Sequence, residues 1–108
     1  MNIELTQMNI IKDLHERGYN NDFSVSGNGI LSVQQKEFIS AADIVIQELH
    51  RLYKNHEMDH DVIILGVSSI SQSLKGILII NLMGIGVRSS QAIVDRISEF
   101  FFHEDYGN

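Results

Sequence analysis

One run among the five histidines and fourteen carboxylates of this chain has the spacing of a known chemistry: His56-Glu57-Met58-Asp59-His60. It satisfies H-E-x-x-H, in which two histidines one helical turn apart hold zinc and the glutamate activates a water. That chemistry needs a helix, a third ligand and apolar residues inside the motif. Asp59 stands where an apolar residue is expected, and the run falls between Tyr53 and Val62, a stretch that reads as a loop between strands. Two readings follow. One is a zinc-dependent hydrolase through His56, Glu57 and His60. The other is a solvated loop where His56 and His60 bind metal only adventitiously.

A second candidate is Met83-Gly84-Ile85-Gly86-Val87-Arg88-Ser89-Ser90. A strand end, a glycine turn and a helix start would place backbone amides, Arg88 and two hydroxyls around an anion. Gly84, Gly86, Arg88, Ser89 and Ser90 are the expected ligand-binding residues of that reading. Ser89 occupies the last position of G-x-G-x-x-G, so the run also reads as a plain strand-to-helix turn with a serine cap. Glu48 and His50 share one face of a presumed strand, with Arg51 on the other, which reads as an acid–base pair or as a cross-strand ion pair on a wet face. Ser68 and Ser69 have no His and Asp at a nucleophile's spacing. No catalytic residue is assigned, and no cofactor is expected.

Composition narrows the classes. A chain of 108 residues with 44% apolar side chains reads as one domain, 1–108, with one core. The net charge is −6, and Lys and Arg are scattered singly, which argues against nucleic acid. Cysteine is absent, which excludes a disulfide framework and a thiolate nucleophile. The first residues lack the basic and apolar regions of a signal peptide, and no apolar run approaches a membrane span of about 20 residues. A cytoplasmic protein without membrane contact is the expectation.

The elements follow from pattern. Leu5, Met8, Ile11 and Leu14, with Ile10, recur at helical spacing over residues 3–17. Gly18 stands where a left-handed cap ends a helix, and Tyr19 can pack back onto it. Phe23-Ser24-Val25 and Ile30-Leu31-Ser32-Val33 flank the turn Ser26-Gly27-Asn28-Gly29 and read as a hairpin. Phe38, Ala42, Val45, Leu49 and Leu52 fit a helix over 38–53, although Ile44-Val45-Ile46 is a β-branched triple. Val62 to Val67 and Ile77 to Met83 are continuous apolar strands around a polar loop, so both faces of the sheet centre are expected to be covered. Ile93, Ile97, Phe100 and Phe101 form the stripe of a closing helix, with a frayed polar end from His103.

The order of motifs is familiar as well. Arg17-Gly18-Tyr19 followed by Asp22-Phe23, then Ile44, Ile46, Glu48, Arg51 and Leu52, then Leu74-Lys75-Gly76-Ile77-Leu78-Ile79 and Gly84, resembles a family of small Bacteroidetes-type proteins. Its members often carry the automatic name phosphoribosylpyrophosphate synthetase. The resemblance runs from about Met8 to Ile97. It departs where the family has Gly and Pro and this chain has Lys54-Asn55-His56-Glu57-Met58. It implies that Ile44 to Tyr53 is a strand, and it implies an α+β fold. It implies no activity, since the chain has no paired carboxylates followed by the Thr/Ser-Gly-Gly amides of a phosphoribosylpyrophosphate loop.

The expected fold is α+β: an N-terminal helix, a mainly antiparallel sheet of about five strands, and a C-terminal helix. Both helices are expected on one sheet face, which would leave an apolar second face. A homodimer through that face, sheet against sheet or through Ile77 to Met83, is the expected assembly. The leading functional reading is a non-enzymatic dimeric binding or regulatory module. A small-ligand or anion-binding protein and the zinc hydrolase are the alternatives.

Overall fold

The computed structural model of the chain describes residues 3–54, 57–81 and 91–106. Helix α1 spans Ile3–Glu16. Strands β1 (Asn21–Ser26), β2 (Gly29–Ser32) and β3 (Phe38–Ser40) follow, then a single 3₁₀ turn at Ala41–Asp43. Strands β4 (Ile44–Lys54), β5 (Glu57–Ser69) and β6 (Lys75–Asn81) and helix α2 (Gln91–Tyr106) complete the described elements. The fold is α+β. The sheet has six strands rather than about five, in the order β3-β2-β1-β6-β5-β4. It is mixed: β1 runs parallel to β6, and the other four pairings are antiparallel. No helix among the described residues is long and apolar enough to cross a membrane.

The sheet must coil. β3 and β4 are its two edges, yet only the 3₁₀ turn joins them. Four residue steps from Ser40 to Ile44 reach at most about 14 Å, whereas five strand spacings laid flat measure about 24 Å. The edges therefore converge at one end, where Gln72 Nε2 donates to the Phe38 carbonyl at 3.3 Å and the Ile70 amide to the Asp43 carbonyl at 3.1 Å. The concave side holds the main core. Phe23, Ile30, Ile39, Ile44, Ile63, Leu65, Val67, Leu78 and Ile80 come from all six strands, and Ile93 and Ile97 of α2 close over them.

Helix α1 lies on the convex side, with Leu14 and Tyr19 against Ile64 and Ile77. The helices thus sit on opposite faces, not on one. Strand β5 is covered on both sides, and β6 on its concave side and, at Ile77, on its convex side, and that is why their sequences are apolar without alternation. Among the described residues, helix α1 packs mainly on β4, β5 and β6. The convex face of β1, β2 and β3 has no helix over it among the described residues.

The stretch whose spacing fits a helix over 38–53 is β3, the 3₁₀ turn and β4; the strand from Ile44 is what the resemblance implied. Strand β4 pairs along β5 from Ile44↔Ser69 to Lys54↔Glu57, with register breaks between Ile46 and Glu48 and between Leu52 and Lys54. The first break is a bulge at Gln47 that reverses the in-out alternation. Ile46 and Leu49 therefore both face the concave core despite their odd spacing. Helix α2 continues to Tyr106, past the expected fraying point at His103.

Candidate functional site

The polar residues best placed for chemistry gather on the convex face where α1 ends. Gly18 has φ +102, a left-handed conformation that L side chains rarely adopt. Its amide donates to the His15 carbonyl at 3.1 Å, and the Tyr19 amide donates to the Leu14 carbonyl at 3.0 Å. These are the two bonds of a Schellman cap, which brings Leu14 and Tyr19 together as its apolar contact. Both are buried in the convex core, as the sequence led us to expect.

The cap aims Arg17 across the sheet at Glu48. The Arg17 Nη2 donates to Glu48 Oε1 at 2.8 Å, and Nη1 donates to Oε2, so the pair is bidentate. The Arg17 Nε donates to Asp13 Oδ2 at 3.0 Å, one helical turn back. On the far side, His50 Nε2 lies 3.0 Å from Glu48 Oε1. Glu48 and His50 share the convex face, as the alternation of β4 requires. The hydrogen bonds from Arg17, followed by that with His50, hold the Glu48 carboxyl at about 2. The carboxylates of Glu48 and Asp13 raise the Arg17 pKa further above its ordinary value.

Strand β5 passes this site with a glycine. Gly66 pairs with Glu48 on one side and with Ile77 on the other. The ring of Tyr19 fills the missing side chain's place: a Cβ on Gly66 would lie 3.1 Å from its Cε1. The Lys75 ammonium sits 4.4 Å from the ring centroid, a cation–π contact. Burial raises the Tyr19 pKa above its ordinary value. Gly76 is also sterically required. A Cβ there would lie 2.3 Å from the Asn21 carbonyl oxygen, across the parallel β1–β6 pairing. Lys75 opens β6, a central strand of the sheet.

A second polar cluster ties the convergent end together. The Asp43 carboxylate accepts from Ser69 Oγ and Ser71 Oγ, each at 2.6 Å, and from the Ser71 amide at 3.0 Å. These bonds, that from Ser69 foremost, lower its pKa. A third is buried: Ser32 Oγ donates to Asn21 Oδ1 at 3.0 Å, and Asn21 Nδ2 donates to the Lys75 carbonyl at 3.0 Å.

The chemical reading of these clusters is architectural. An effective general base has a pKa near the working pH. Glu48 is far below it and has both oxygens engaged. Arg17 is held by two carboxylates. Asp43 is occupied by hydroxyls that position the β5–β6 loop.

Of the motif His56 to His60, the last four residues are described. Glu57, Met58, Asp59 and His60 form the start of β5, not a helix and not the loop expected from sequence. A strand does not stack residues i and i+4 one turn apart. His56 lies outside the described residues. Gly84, Gly86, Arg88, Ser89 and Ser90 also lie outside them. The sequence reading missed the Lys75–Tyr19 contact and the Asp43–Ser69–Ser71 cluster. The signal for the first was present. Arg17, Gly18, Tyr19, Glu48, Lys75 and Gly76 all belong to the motifs of the family resemblance, and all six converge here.

No family model matches the chain, and no curated protein or solved structure matches it.

Proposed function

We propose that the chain is a non-enzymatic, homodimeric binding or regulatory module that presents an apolar binding surface apart from its dimer contact. The observation that carries this reading is a set of exposed apolar residues on the convex face. Phe38 of β3, Leu31 of β2 and Ile79 of β6 are 49%, 36% and 43% exposed. Leu31 pairs directly with Phe38. Each alternates with residues of the concave core, so all three point to the side that α1 leaves open. Ser24 of β1, which pairs with Leu31, stands between it and Ile79; exposed apolar residues gathered on one face mark contact sites. The polar clusters, by contrast, are engaged internally.

Two measurements test the reading. Light scattering across the micromolar range is expected to give a dimer mass, and a monomer mass throughout removes the dimeric part. A thermal-shift screen with zinc, chelator, inorganic phosphate and phosphoribosylpyrophosphate is expected to leave the melting temperature unchanged. A stabilisation by zinc that chelator reverses restores the metal reading. One by either phosphate compound restores the anion reading.

A further inference from the structure

We propose that the second copy joins along the outer edge of β4, antiparallel and centred on Leu49, so that one continuous sheet runs through both copies. This rests on the dimeric reading above and names its interface. It leaves the strip of Leu31, Phe38 and Ile79 free for a different partner.

The two edges of the sheet differ. β3 is three residues long, the kind of short edge that does not recruit further strands. β4 is eleven residues long, and among the described residues no strand lies on its outer side. Alternate residues of an edge strand direct their N–H and C=O groups away from the sheet. Among the described residues, helix α2 lies against the start of that edge. Arg96 Nη2 donates to the Ile44 carbonyl at 2.5 Å. Arg96, Glu99 and Phe100 line a groove of about 200 Å³ with Ile44, Val45 and Ile46. The bulge at Gln47 separates this covered start from the regular stretch Glu48–Leu52.

The regular stretch is self-complementary in one register. Centring on Leu49 sets Glu48 of each copy opposite His50 of the other, on the convex face, and Leu49 opposite Leu49 on the concave face. Acid meets imidazole twice, and apolar meets apolar. Centring on His50 instead sets His50 against His50, Glu48 against Leu52 and Leu49 against Arg51, with no complementary pair. A shift by one residue opposes convex-facing with concave-facing side chains and breaks both faces. Arg17 and Asp13 flank Glu48 on the same face, and each copy brings its own. The convex strip has no such two-fold pairing: it crosses three strand spacings, about 14 Å, with Ser24 between Leu31 and Ile79.

The test uses the full chain, which has no cysteine of its own. Residues directly opposite in an antiparallel pair have Cα atoms about 4.5–5.5 Å apart, within disulfide range. Under mild oxidation, Leu49→Cys is expected to give a covalent dimer and Phe38→Cys is not. In the unmodified chain, amide exchange at Glu48–Leu52 is expected to slow about tenfold or more from dilute monomer to concentrated dimer. That measurement decides the matter if Leu49→Cys does not fold. A dimer mass with cross-linking at Phe38 alone, or with no concentration-dependent protection in β4, overturns the edge interface and leaves the dimeric reading standing. A monomer at every concentration overturns both.

Discussion

The ring of Tyr19 occupies the place that a side chain at Gly66 would need: a Cβ there would sit 3.1 Å from Cε1 and 3.2 Å from Cζ. The ring cannot retreat freely, because Leu14 packs with it and the Lys75 ammonium lies over it. The glycine of a central strand and the aromatic after a helix cap are thus one packing unit.

Gly66→Ala is expected to destabilise the fold by about 1–3 kcal/mol through overpacking. That lowers the melting temperature by about 4–8 °C for each kcal/mol in a domain near this size. Gly76→Ala is expected to cost more, since its Cβ would meet backbone, the Asn21 carbonyl at 2.3 Å, rather than a ring edge. Thermal melts of the two variants check the order. Equal and negligible losses would mean that β1 and β6 separate without cost.

Glu48 predicts an acid-side loss of stability. Its folded pKa of about 2 lies below the ordinary carboxylate value of 4.5, chiefly through Arg17. A depressed pKa contributes stability that is complete above the unfolded value and disappears as pH falls from about 5 towards 2. Arg17 is solvent-exposed, so we assign this about 1 kcal/mol at neutral pH. Glu48→Gln is expected to lower stability by that amount at pH 7 and to match the unmodified chain near pH 2. Chemical denaturation at both pH values measures it, and an equal gap at both would remove the ion pair as the cause.

Tyr19 predicts the alkaline counterpart. Burial raises its pKa above the ordinary 10.0. A raised pKa contributes stability that is complete below the unfolded value and is lost as pH rises through the folded value. Tyr19→Phe is expected to be close to neutral at pH 7 and to remove this alkaline loss. Tyr19→Ala is expected to cost about 3–5 kcal/mol, as large aromatic truncations do. Ultraviolet titration of the phenol and denaturant melts of the two variants separate burial from charge.

Asp43 predicts a local effect. Its carboxylate holds Ser69 and Ser71, and its carbonyl holds the Ile70 amide. Asp43→Asn keeps the shape and loses the charge-assisted bonds. Amide exchange at Ile70 to Gln72 is expected to quicken, while the centre of β5 stays protected. Unchanged exchange in that loop would show that the β5–β6 connection is held by other contacts.

The two open faces of this protein follow from its connections more than from its composition. A three-residue link between the two edge strands forces the sheet to coil, so its inner side is filled by strands and α2, while α1 is the helix that the described residues place on the outer side. Among the described residues, one helix on a six-stranded convex face covers about half of it.

Short-range rules were enough for much of the structure. The periodicity of α1, the glycine cap at Gly18, the Gly27–Asn28 hairpin turn and the doubly apolar β5 and β6 are each set by residues within a few positions of one another. The convergence of Arg17, Tyr19, Glu48 and Lys75 was foreshadowed only by motif resemblance, because their partners are far apart along the chain. The nature of β4 could not be read from spacing. A bulge at Gln47 puts Ile46 and Leu49 on one face, and the helices on both sides make Leu52 apolar on the other, so apolar residues fall three apart, as in a helix. Likewise, the parallel β1–β6 pairing and the placing of the two helices on opposite faces depend on how the chain returns to itself. The sequence determined which residues want burial and where the chain must turn. Only the tertiary structure decided which face each residue meets, because register, bulge and coil are fixed by pairing partners and not by neighbours.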